Sequence, residues 1–141
     1  MTEITLSNET VQYINIAAQV TRARIMDCLV EEDRVVFIVE KGQLGLAIGS
    51  KAKNLVKLRT LLKKTVKLVE YDDDEKRFIF NLCKPYKVKD VHLEETTDGF
   101  VGKISVEPSD KSKLIGKSGA NIDLIRKMAH RHHAVKDIQI L

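Results

Sequence analysis

The chain repeats itself, and that repeat limits its possible folds more than any other feature. With Gly49 laid on Gly116, 67 positions further on, Val39-Glu40 falls on Val106-Glu107 and Ile48-Gly49 on Ile115-Gly116. Asn54 then meets Asn121 and Arg59 meets Arg126, while Leu55 and Leu58 meet Ile122 and Ile125 without a gap. The identities are few, but in both halves they surround the same event: apolar residues, a glycine, a lysine-bearing turn and an amphipathic run. Two homologous halves of roughly 70 residues follow, each the size of a small domain. No Pro/Gly/Ser-rich linker separates them. The acidic "DDDE" is the expected boundary, which gives domains at 1–74 and 75–141.

Each half reads as the same order of elements. In the first, residues 8–20 follow the candidate caps Ser7 and Asn8 and set Val11, Ile14, Ala17 and Ala18 on one helical face. Residues 23–31 and 34–40 are rich in β-branched residues and read as strands joined by an acidic turn. A short helix, a break at Gly49 and a longer helix with Leu55, Leu58, Leu61 and Leu62 to one side come next, closed by a strand at 66–71. The second half predicts a helix at 75–83 and strands at 87–95 and 100–107, turned at Asp98-Gly99. A helix at 110–115, a break at "GKSG", a helix at 120–132 and a strand at 135–141 complete it. The order α-β-β-α-α-β, taken twice, predicts an α+β fold in which each three-stranded sheet carries its helices on one face.

Charge is segregated along this frame. The net charge is +4, a mild bias whose placement matters more than its size. No acidic residue stands between Glu40 and Glu70, a window holding Lys41, Lys51, Lys53, Lys57, Arg59, Lys63, Lys64 and Lys67. From Lys111 to Lys136 Asp123 is the one acid among seven cations. Solvated helix faces ordinarily mix signs, so two basic segments at the two breaks point to an anionic partner. With 43% apolar and 31% charged residues and no apolar run of membrane-spanning length, no membrane partner is expected. The start, "MTEITLSNET", has no basic-then-apolar signal segment, and Cys28 and Cys83 stand apart in apolar patterns as buried free thiols. Both readings place the chain in the cytoplasm.

The break itself has the means to hold a nucleic acid. A helix N-terminus offers unpaired N–H groups and partial positive charge. Glycine lets a ligand approach the backbone, and Lys117 adds a point charge for phosphate. Leu114, Ile115, Ile122 and Ile125 are expected to form an apolar platform beside it, which suits an unstacked strand. A nucleotide-binding P-loop is excluded, because that motif needs a glycine five residues before Gly116, where Lys111 stands, and a strand before the loop.

On these residues the chain resembles a known family. "LIGKSGANI" is similar to the G-x-x-G signature of K-homology (KH) domains, RNA-binding modules whose loop clamps about four nucleotides, and α-β-β-α-α-β is the order of their type II form. "LGLAIGSKAKNL" in the first half is similar to the "LAIG..G.N" segment of NusA KH domains, and the tandem resembles the short archaeal NusA-like proteins. The resemblance implies single-stranded RNA binding in transcription termination or antitermination, with RNA polymerase or other transcription factors as partners. It implies no cofactor, no metal and no small-molecule substrate. The RNA-binding residues it implies in the first half are Ile48, Gly49, Ser50, Lys51, Ala52, Lys53, Asn54 and Lys57. In the second half they are Leu114, Ile115, Gly116, Lys117, Ser118, Gly119, Ala120, Asn121, Ile122 and Arg126. A ribosome-associated or RNA-assembly KH protein is the alternative that the same motifs allow. Two departures stand out: Ala52 takes the place of the second loop glycine, and 141 residues leave no room for the S1 and polymerase-binding domains of bacterial NusA.

Other clusters carry less. His130 and His133 have an i, i+3 spacing usable for metal, but they sit among cations with no third ligand type near, and read as a helix end. Asp72, Asp73 and Asp74 read as a solvated turn between the halves. No nucleophile is paired with a base and no two carboxylates share an apolar setting, so no enzyme is expected. At 5% aromatic residues, no stacking sheet of the RRM kind is expected either.

Overall fold

The computed structural model describes residues 7–141, and these fall into two compact units that divide between Asp72 and Asp73. The opening residues, on which the absence of a signal segment was read, lie outside the described part. The first unit runs α1 (Asn8–Thr21), β1 (Ile25–Val30), β2 (Arg34–Val39), α2 (Leu44–Ile48), α3 (Lys53–Leu62) and β3 (Thr65–Glu70). The second runs α4 (Glu75–Cys83), β4 (Val88–Thr96), β5 (Gly99–Val106), α5 (Pro108–Ile115), α6 (Ala120–His132) and β6 (Val135–Ile140). This is the α-β-β-α-α-β order, twice.

Each unit has one three-stranded sheet with its second strand in the middle, β1-β2-β3 and β4-β5-β6. The first pair is antiparallel, with Cys28 opposite Phe37 and Val91 opposite Ile104. The second pair is parallel, with Phe37 opposite Leu68 and Gly102 opposite Ile138. Parallel neighbours need a long crossover. That crossover is made of the two helices with the glycine break between them, so the topology itself puts the break in the connection from middle to last strand.

Packing follows the apolar periods except at Val11 and Leu61, which those periods place inward but which are exposed at 40% and 54%. In the first unit Ala17 of α1 and Leu58 of α3 bury against Cys28, Val35, Phe37 and Val66, one face of the sheet. Val36 and Ile38, which alternate to the other face, are buried as well, at 0% exposure. In the second unit β5 alternates buried Gly102, Ile104 and Val106 with partly open neighbours. Gly102 has no side chain because Ile79 of α4 and Ile138 of β6 each reach within 3.3 Å of where its Cβ would be. Lys103 donates to Glu94 at 2.7 Å across the β4–β5 hairpin and holds that exposed carboxyl below the usual carboxylate range.

The helix ends have chemical reasons. Ser7 caps α1, its Oγ accepting from the Thr10 amide, and Pro108 starts α5. The acidic run at 72–74 is more than the solvated turn expected of it. Asp72 is buried and lies 3.4 Å from Lys41 Nζ, and Asp74 caps α4 by accepting from the Lys76 amide. Asp73 and Asp74 remain exposed. Cys28 and Cys83 are buried free thiols. No helix among the described residues is long and apolar enough to cross a membrane.

Candidate nucleic-acid interface

The two breaks have one backbone path. Gly49 lies at φ 79, ψ 165 and Gly116 at φ 80, ψ 171, a region open essentially to glycine alone. Here the chain doubles back onto the start of the next helix. A Cβ on Gly116 would stand 2.8 Å from Asn121 Cβ and 2.9 Å from its amide nitrogen. On Gly49 it would stand 2.9 Å from Asn54 Nδ2 and 3.1 Å from the Asn54 amide. Two left-handed residues follow in each loop: Lys51 and Ala52 in the first, Ser118 and Gly119 in the second. The second glycine therefore does a different job from the first. Gly119 (φ 76) relieves a left-handed strain that Ala52 (φ 58) bears, and a Cβ there would meet nothing closer than 3.9 Å.

Each loop is closed from inside and open outside. The amides of Ala52 and Gly119 donate to the carbonyls of Gly49 and Gly116, both at 3.1 Å. Asn54 Nδ2 donates to the Leu46 carbonyl at 3.1 Å and Asn121 Nδ2 to the Leu114 carbonyl at 2.8 Å, tying the helices across the break. Neither α3 nor α6 has a side-chain cap, in contrast to α1 and α4. The first amide of each, at Lys53 and Ala120, donates to the Ser50 and Lys117 carbonyls, and adjoining right- and left-handed residues form the kind of concavity that takes anions. Ser50, Lys51, Lys53 and Lys57 are exposed around the first loop, and Lys117, Ser118 and Ala120 around the second.

With this geometry the comparisons with known proteins agree. The profile of the KH domain matches residues 12–94, and that of the NusA-like second KH domain matches residues 75–140. The probable transcription termination protein NusA of Halobacterium salinarum is 36% identical over 97% of this chain and 98% of its own length. The chain belongs to the NusA-like family of tandem KH proteins. The protein of the same description from Methanocaldococcus jannaschii is 28% identical over all of this chain and 77% of its own. The crystal structure of APE1850 superposes with a TM-score of 0.78 at 29% identity, over 96% of this chain and all of that one.

Within the KH frame several of the expected site residues turn inward. Leu114 and Ile125 are fully buried and Ile122 is 4% exposed, because they belong to the stripe by which α5 and α6 join the core. The apolar platform expected of them is absent. Ile115 stays partly open, as do Ile48, Gly49, Ala52, Asn54 and Leu55 in the first unit and Gly116 and Gly119 in the second. Asn121 is buried and spent on the Leu114 carbonyl. Arg126 is held on three sides: Nη1 donates to Asp123 at 3.0 Å, and Nε lies 3.0 Å from Asp137 Oδ1 and donates to the Ile138 carbonyl at 3.1 Å. It fastens α6 to β6.

Two apolar residues near the first loop escaped the sequence reading. Leu46 and Val56 are each 54% exposed. Leu46 supplies the carbonyl that holds Asn54, and Val56 lies on α3 between Lys53 and Lys57. Val56 is an apolar residue out of phase with the expected stripe of Leu55, Leu58, Leu61 and Leu62, of which Leu61 is itself exposed. Lys113 and Asp123 take these two places in the second unit.

Proposed function

We propose that this chain binds single-stranded RNA through its two inter-helical loops and acts, without catalysis, in transcription termination or antitermination in the cytoplasm. The two KH domains of this reading are residues 1–74 and 75–141. RNA polymerase or another transcription factor is the protein partner, and no small-molecule substrate is involved. The observation that carries the reading is the shared loop path: a glycine-only turn, two left-handed residues and an uncapped helix start, with exposed lysine at each. Such a turn offers backbone N–H groups to a phosphate while leaving bases to the partly open Ile48 and Ile115. The relatives named as probable termination proteins support the setting in transcription. Asn121, Leu114, Ile122 and Arg126 enter this reading as residues that shape the loop and not as contacts.

Anisotropy titrations with a labelled single strand and its duplex test it. Single-stranded RNA should bind better, because an A-form helix hides its base edges from such a loop. Affinity should fall with salt, with a log–log slope of about −0.7 for each phosphate neutralised. Equal affinity for duplex and single strand would refute the loop reading. Co-purification with RNA polymerase, against sedimentation with ribosomes, tests the transcriptional setting. Exclusive travel with ribosomes would move the protein to the RNA-assembly alternative.

A further inference from the structure

Asp123, the one acid between Lys111 and Lys136, stands beside the second loop. It lies in the first turn of α6, and its Oδ2 is 4.0 Å from the point where a Cβ on Gly119 would sit. Its side chain is 59% exposed. A carboxylate beside a clamp for phosphate repels what the clamp is meant to hold, so phosphate binding does not account for this residue. A first-turn acid does favour the helix dipole, but that benefit does not require a carboxylate next to the loop glycine. Its orientation is also enforced. Arg126, itself fastened to Asp137 and the Ile138 carbonyl, donates to Asp123 Oδ1 at 3.0 Å. That leaves Oδ2 as the oxygen turned to the loop.

An ionised carboxylate accepts hydrogen bonds and donates none. The nearest neighbour of a clamped phosphate is a ribose, and the donor that RNA adds there is the 2′-hydroxyl. We propose that Asp123 Oδ2 accepts a hydrogen bond from the 2′-hydroxyl of the nucleotide held at Gly116–Gly119, so that the second unit distinguishes RNA from single-stranded DNA. The inference rests on the reading of that loop as an RNA clamp. In the first unit the place belongs to Val56, exposed and without an acceptor, and that loop makes no such distinction.

The test uses the full chain with a single-stranded RNA and the all-deoxy strand of the same base sequence, titrated at one salt concentration. The parent should prefer RNA. Asp123→Ala should remove on the order of tenfold from the RNA-over-DNA ratio, the worth of one hydrogen bond to a charged group. The ratio is the readout because freeing Arg126 Nη1 strengthens the hold on both phosphate backbones alike. If Asp123→Ala melts below the assay temperature, Asp123→Asn is read instead, and should narrow the ratio in the same direction by less. A parent without preference, or a ratio unmoved by the variant while Lys117→Asp still weakens RNA binding, overturns the inference and leaves the loop reading intact. If Lys117→Asp changes nothing, the loop reading falls and this inference falls with it.

Discussion

Residues 49–54 and 116–121 trace the same turn with different means of support. In the first loop both left-handed positions are filled by residues with a Cβ, Lys51 and Ala52, each at a cost of roughly 1–2 kcal/mol. In the second only Ser118 bears that cost, since Gly119 takes the other place. The tie across the break is longer and partly open at Asn54, shorter and buried at Asn121. The charge differs as well: Lys51, Lys53 and Lys57 surround the first loop without an acid, while Lys117 shares the second with Asp123. One backbone shape is kept under two sets of side chains, which is why the proposed function rests on the shape. The first loop carries more strain and more positive charge; the second carries less of both and the buried tie.

The sharpest way to break this contrast is at the leading glycines. Gly116→Ala should cost about 3–4 kcal/mol, combining a glycine-only conformation with a clash against the Asn121 backbone. Gly49→Ala should cost about 2–3 kcal/mol, because its closest clash is with the tip of the Asn54 side chain, which can move. Urea unfolding measures both, and equal losses would erase the distinction in rigidity. Next come the ties. Asn121→Ala should lose about 2 kcal/mol by leaving a buried carbonyl without its donor, and Asn54→Ala about 1 kcal/mol at its more open site. Smallest is the exchange at the second position. Gly119→Ala should destabilise, and Ala52→Gly stabilise, each by about 0.5–1 kcal/mol, the left-handed penalty less the entropy a glycine loses on folding. Thermal melts that shift in the same direction for both would contradict the shared backbone path.

The order of elements was legible because both periods, 2 in the strands and 3.6 in the helices, are clear and occur twice. That a break lay at Gly49 and Gly116 was legible too. The different work of the two glycines was not, since Gly116 is required by Asn121, whose position depends on how α6 packs. The resemblance implies Asn121 and Arg126 as contacts, and they repeat in phase with Asn54 and Arg59. Phase in a helix cannot distinguish a side chain that faces solvent from one that faces a carbonyl of a neighbouring element. Leu114 and Ile122 differ in the opposite sense: apolar residues beside a loop suggest a platform, whereas the core takes them.

The central claim is that the loops clamp phosphate with their backbones, and reversing charge at their tips tests it most directly. Lys117→Asp with Ser118→Asp should lower affinity for a labelled single-stranded RNA by on the order of a hundredfold, since carboxylates would then face the phosphates. Folding should change by about 0.5 kcal/mol or less, because both side chains are exposed and Asp tolerates the left-handed conformation of Ser118. The matching pair, Ser50→Asp with Lys51→Asp, should weaken binding less, because Lys53 and Lys57 remain beside that loop. Circular dichroism on each variant reports folding alongside the titration. A Lys117/Ser118 variant that keeps its fold and binds RNA like the parent would contradict the account.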